Sequence, residues 1–151
     1  LLGETDDPRP LKQLIDGGDL YPAGPMARVP IVATIPAGEP AYTEDTIEDY
    51  EELPAEWVRG GDYVVVRVKG ESMIGAGIRN GSRVLIHIQP TVENGQIAAV
   101  NVNGDEATLK RVYIHGDHVL LVSENPAFPP QEHHIDNIRI VGRAVKVIGD
   151  L

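Results

Sequence analysis

Apolar residues in this chain come in short alternating stretches, and none persists at helical spacing long enough to build a long helix. Val64, Val66 and Val68 fall on one side of such a stretch, with Tyr63, Arg67 and Lys69 mostly on the other; Val84, Ile86 and Ile88 repeat the pattern. Every second side chain of an extended strand points the same way, so each stretch has a face to bury. Strands are predicted over 29–35, 62–69, 81–88, 97–102, 106–113, 119–122 and 138–148. Asn103-Gly104 separates two of them, and both residues tolerate the positive φ of a tight hairpin turn. At 151 residues the chain has the length of one domain with a real core. The expectation is a mainly β domain with no internal repeat.

The flanks read differently. Residues 1–28 carry Pro8, Pro10, Pro22 and Pro25 and the Gly17-Gly18 pair, without sustained periodicity, and are expected to be an interdomain linker. Leu11, Leu14 and Ile15 suffice for one short helical turn. The folded domain is expected over 29–151. Residues 39–56 hold Glu39, Glu44, Asp45, Glu48, Asp49, Glu51, Glu52 and Glu56 with no Lys or Arg, which reads as a solvated acidic connector. With a formal net charge of −10, the chain repels phosphate backbones and is a poor nucleic-acid binder by itself. It has no cysteine, which excludes disulfides and thiolate metal sites and fits a cytoplasmic location. No run of roughly 18 apolar residues suggests a membrane-crossing helix.

Three elements carry chemistry. Ser72 follows Gly70-Glu71 at the end of a predicted strand, where a turn exposes the hydroxyl and lets backbone N–H groups converge near it. A serine in that position is ordinarily only a turn or cap residue. Lys110 lies in the strand Ala107-Thr108-Leu109-Lys110-Arg111-Val112, sharing a face with Thr108 and Val112. Most lysines are solvated, but one turned toward aliphatic neighbours is desolvated, which favours the neutral amine. A free lysine, with a pKa of ~10.4, is neutral in about one molecule in 2,500 at pH 7. Bringing it to neutrality there takes about 4–5 kcal/mol, within what burial supplies. A neutral amine can take the proton of a serine hydroxyl, so the two residues can form a hydrolytic dyad without histidine or metal. Upstream, Pro36-Ala37-Gly38-Glu39-Pro40 presents an Ala-Gly bond between two prolines, a small accessible target.

These elements, in this order, resemble the carboxy-terminal self-cleavage domain of LexA and related phage repressors, a pattern the UmuD proteins share. The likeness runs from about 29 to 147. It includes Gly77-Ile78-Arg79-Asn80-Gly81-Ser82, similar to the family's Gly-Ile-x-(Asp/Asn)-Gly-Asp turn, and Glu93-Asn94-Gly95-Gln96-Ile97, similar to the segment leading into one of its strands. Ser123-Glu124-Asn125-Pro126 is close to its Pro-x-Asn-x segment. The resemblance implies a LexA/signal-peptidase-like β fold with a cleavage-site loop, a homodimer and hydrolysis of the Ala37-Gly38 bond within the chain. It assigns Ser72 as nucleophile, Lys110 as general base, the N–H groups of Glu71 and Ser72 as oxyanion donors, and Ile35, Pro36 and Ala37 as the acyl side of the substrate loop. It implies no cofactor and no metal. It further implies stimulation by a RecA filament on single-stranded DNA, which favours the conformation with the loop in the site. Glu71 stands where many members carry aspartate, and Pro36 stiffens the loop before the scissile alanine. No helix-turn-helix precedes the domain in this chain, so contact with DNA is expected only through an amino-terminal part absent from it.

Two further roles fit the same residues. One is a UmuD-like accessory subunit of a lesion-bypass polymerase; the other is an oligomerisation module whose dyad is idle. A signal peptidase uses related chemistry but needs a membrane anchor. His115-Gly116-Asp117-His118 and His133-His134 invite a metal reading, yet neighbouring strand residues point to opposite faces, so a shared ion is not expected. Trp57 is expected to anchor the core. Arg28, Arg59, Arg67 and Arg79 are too dispersed for a nucleic-acid stripe.

Overall fold

The computed structural model describes residues 24–149. The short helical turn expected at Leu11–Ile15, and nearly all of the expected linker, lie outside that range. Nine strands form one mixed sheet: β1 (Met26–Val32), β2 (Ile47–Pro54), β3 (Tyr63–Arg67), β4 (Arg83–Ile88), β5 (Ile97–Val102), β6 (Thr108–His115), β7 (His118–Val122), β8 (Gln131–His134) and β9 (Ile138–Ile148). Their order across the sheet is β2-β1-β3-β4-β9-β5-β6-β7-β8. The fold is mainly β, as the alternating stretches predict. Among the described residues only short 3-10 turns interrupt it, at Ala55–Val58, Ile74–Ala76 and Ile135–Asn137.

β9 is the spine. Its first half pairs with β5 and its second half with β4, both antiparallel, with a register shift against each partner. At Gly142 the backbone of β4 comes so close that an added Cβ would stand 2.2 Å from the His87 carbonyl oxygen, so only glycine fits. The central strands are buried on both faces. Val64 joins a cluster with Val84, Ile86, Ala99 and Val141, whereas Val65 packs with Leu85, Ile31 and Leu53 on the other side. A third cluster, around Val100, Val112 and Leu121, fills the β5–β7 end. The first cluster matters most for the site, because it also takes Val32 from the end of β1, Ile35 from the chain after it, and Met73 and Ile78 from the turn after β3.

Several expectations are corrected. The acidic stretch contains β2, a full strand paired antiparallel with β1. It can be a strand because it lies at the sheet edge, where charged side chains reach water and discourage further pairing. β2 buries Leu53 against β1 and ties Glu51 to Arg83 at 2.7 Å and Glu52 to Arg28 at 3.5 Å. β1 starts at Met26, inside the segment read as linker, and ends at Val32 rather than 35. Trp57 is no core anchor: it is 37% exposed in the Ala55–Val58 turn, with the Lys146 ammonium 4.7 Å from its ring centroid.

Candidate active site

The chain leaves β3 and loops back to β4 through a closed, cross-bonded turn. Val68 and Gly81 bracket it: Val68 donates to the Ser82 carbonyl at 2.8 Å and accepts from Gly81 at 2.7 Å. Gly70, at φ +82°, makes the sharp reversal that a side chain would resist. Its N–H donates to Asn80 Oδ1 at 2.8 Å. Met73 and Ile78 are both 2% exposed and plug the turn into the first core cluster. Each such burial contributes about 1.5–3 kcal/mol. Ser72, directly before Met73, is therefore held at the rim of the core.

The second half of the site comes from β6, which pairs with β5 so that Lys110 stands opposite Ala98. Lys110 Nζ donates to Ser72 Oγ at 3.2 Å, across a sequence separation of 38 residues. Lys110 is only 7% exposed. Burial pushes the Lys110 pKa below the ordinary lysine value, because the cation loses hydration. Among the described residues no carboxylate pairs with it to reverse that effect. A poorly hydrated amine beside a hydroxyl is what a serine nucleophile with a lysine base requires.

A groove of roughly 190 Å³ opens at Ser72, lined among others by Ala33, Ile35, Val66, Val68 and Met73. That is smaller than the roughly 300–1,000 Å³ of small-molecule sites. The N–H groups of Glu71 and Ser72 donate to no protein acceptor among the described residues. The arrangement thus brings together a hydroxyl, a base, candidate oxyanion donors and an apolar groove.

The Ala37-Gly38 bond sits elsewhere. Ile35 lines the groove, but Ala37 and Gly38 line a neighbouring hollow with Asn101, Asn103, Gly104 and Arg139. The bond lies in a turn closed by a 3.4 Å hydrogen bond from Glu39 N–H to the Pro36 carbonyl, with Gly38 at φ +78°. That geometry selects glycine at its third position. The stem of the loop is tied more firmly. The Ile35 carbonyl accepts from Ala107 N–H at 2.9 Å and from Asn101 Nδ2 at 3.0 Å. Asn101, 2% exposed, also donates to the Asp105 carbonyl and accepts from Arg139 Nη1 at 3.1 Å.

Asn101 and Arg139 were not singled out from the sequence. Asn101 did carry a signal, since asparagine is depleted in strands and it lies between Val100 and Val102. At the far edge, His118 approaches Asp117 and Glu132 at 3.4 and 3.2 Å, and His134 approaches Asp117 and Asp136 at 3.5 Å each. Among the described residues no group of histidines and carboxylates is arranged to hold a metal ion. No helix of the described residues is long and apolar enough to cross a membrane.

A sequence model described as Peptidase S24-like matches residues 30–145. A LexA repressor of Deinococcus radiodurans is 40% identical over 126 residues, covering 80% of this chain and 59% of the relative. The LexA repressor of Exiguobacterium sibiricum is 34% identical over 122 residues, covering 81% and 59%. That of Acidothermus cellulolyticus is 41% identical over 123 residues, covering 82% and 44%. The chain thus spans about half the length of these curated relatives.

Proposed function

The chain belongs to the Peptidase S24-like family, and on that premise we propose that it is the self-cleaving effector and dimerisation part of a LexA-like transcriptional repressor. The observation that carries this reading is the 3.2 Å contact between Ser72 Oγ and the buried amine of Lys110. In the proposed reaction, neutral Lys110 takes the Ser72 proton as Oγ attacks the Ala37 carbonyl carbon. The oxyanion is held by the N–H groups of Glu71 and Ser72. Collapse breaks the Ala37-Gly38 bond, and Lys110 gives its proton to the leaving Gly38 nitrogen. Water, deprotonated in turn by Lys110, then hydrolyses the Ala37–Ser72 ester and frees both the serine and an Ala37 carboxylate. No metal or cofactor takes part.

Because Ala37 and Gly38 rest outside the groove, the bond must be repositioned before attack. A partner that binds the engaged arrangement better drives that shift, and a RecA filament on single-stranded DNA fits the role. The residues ahead of β1 serve as a tether, and DNA recognition belongs to a part other than this domain. Cleavage in a homodimer separates two DNA-binding parts and removes their avidity for paired half-sites, which derepresses the regulated genes. The resting position of Ala37-Gly38 also favours a second reading, an oligomerisation module with an idle dyad. Incubation at about pH 9 with intact-mass analysis separates the two, because higher pH populates neutral lysine. Fragments that meet between Ala37 and Gly38 support the first reading; an intact chain supports the second.

A further inference from the structure

We propose that Asn125 is a positioning residue that aims the Ser72 N–H into the groove by pinning the other end of the same peptide unit. The inference rests on the self-cleavage reading above and concerns how its oxyanion site is set. A trans peptide unit is planar, and its C=O and N–H point in opposite directions. The unit joining Glu71 to Ser72 therefore cannot turn its N–H without turning the Glu71 carbonyl.

That carbonyl is held from outside the turn. Asn125 Nδ2 donates to Glu71 O at 2.8 Å, across a separation of 54 residues, and Ile74 N–H approaches the same oxygen at 3.3 Å. The Ser72 N–H, left without a protein acceptor, is directed to the opposite side of the unit. Asn125 is itself fixed: its Oδ1 accepts from Ala127 N–H at 3.0 Å, and its carbonyl accepts from Phe128 N–H at 3.0 Å.

The neighbouring residue braces the same assembly. The Glu124 carbonyl accepts from Gly75 N–H at 2.7 Å, and Glu124 N–H meets Met73 Sδ at 3.4 Å. The Glu124 carboxylate receives Arg111 Nε at 2.8 Å, next to Lys110 in β6. A Cβ at Gly75 would lie 2.7 Å from the Glu124 carbonyl oxygen, so glycine permits the close approach. The segment after β7 thus links the strand of the base to the turn of the nucleophile, and Asn125 is its contact with the oxyanion peptide.

The test compares Asn125→Asp and Asn125→Ala with the unchanged chain, following self-cleavage by gel across pH 7 to 10. Aspartate keeps the acceptor for Ala127 and loses only the donor to Glu71; alanine loses both. Expected is a plateau rate lowered about 10- to 100-fold in both variants, the range for a misaimed oxyanion donor. In Asn125→Ala the midpoint of the pH profile stays where it is in the unchanged chain, because Lys110 is untouched. A variant that is unfolded by circular dichroism is replaced in the comparison by the other. Cleavage of the folded Asn125→Asp chain at the unchanged rate overturns the inference and leaves the dyad standing. A loss accompanied by a displaced midpoint in Asn125→Ala also overturns it, since the residue then acts on the base. If the unchanged chain is never cut while correctly folded, the self-cleavage reading falls, and this inference with it.

Discussion

Two turns of this molecule flank the candidate site, and they are built to opposite specifications. The turn bearing Ser72 is anchored by two buried core residues, bonded to Asn80 and Ser82, and braced by Glu124 and Asn125. The turn bearing Ala37-Gly38 has a firm stem at Ile35 but closes on a single long hydrogen bond between exposed or half-exposed residues. A catalytic group gains from being held in place before reaction, because reorganisation then costs nothing at the transition state. A substrate held as firmly in a resting position could not reach it. The contrast assigns rigidity to the enzyme half and adjustability to the substrate half of one chain.

The strongest way to break that contrast is to remove the rigid half. Ser72→Ala and Lys110→Ala are each expected to lower cleavage by at least ~10⁴-fold, the scale for loss of a nucleophile or its base. Unchanged circular dichroism would locate the loss in chemistry, whereas residual cleavage of Ser72→Ala at a normal rate would place the nucleophile elsewhere. The next largest effect is that of pH. Because burial lowers the Lys110 pKa, the rate should climb about tenfold per unit of pH below that lowered value and level off above it. A rate that falls as pH rises toward the ordinary lysine range would contradict a lysine base.

Asn101→Ala probes the stem of the substrate half. It strips one donor from the Ile35 carbonyl and leaves Arg139 without its acceptor there, so a loss of about 1–3 kcal/mol in denaturant unfolding is expected. Cleavage should fall by roughly tenfold as the stem loosens. Unaltered stability and rate would mean that the loop is held by something else.

The smallest effect concerns stability alone. A lysine whose folded pKa is depressed binds its proton less readily in the folded than in the unfolded chain. The unfolded state therefore holds more protons between the lowered value and the ordinary one, and stability rises with pH across that window. Lys110→Met removes the buried cation, so it should unfold at a higher temperature than the unchanged chain at pH 7, by about 1 kcal/mol. The gap should narrow as pH rises toward the ordinary lysine range. A gap that widened with pH would reverse the assigned shift.

Much of the sheet was legible because its inner strands alternate or run apolar between glycines. β2 and β8 were not. Glu48, Asp49, Glu51 and Glu52 look like a solvated connector, and Gln131–His134 has no apolar residue at all. Both are edge strands, whose partners lie on one side only, so burial leaves little trace in their composition. Ser72 and Lys110 gave weak signals, a turn serine after a strand and a lysine on an aliphatic strand face, and resemblance to a known family joined them. Asn101 and Asn125 bind backbone carbonyls 66 and 54 positions away, and a carbonyl acceptor leaves no mark on the residue that carries it. Trp57 misled because an aromatic ring can cover a surface lysine as readily as fill a core.

The most direct test is a titration of the Lys110 side-chain nitrogen by NMR in the uncleavable Ser72→Ala chain, set beside the pH profile of cleavage in the unchanged one. The account predicts a midpoint below that of a free lysine, coinciding with the rise in cleavage. A Lys110 that titrates like a solvated lysine, while cleavage proceeds at lower pH, would contradict it.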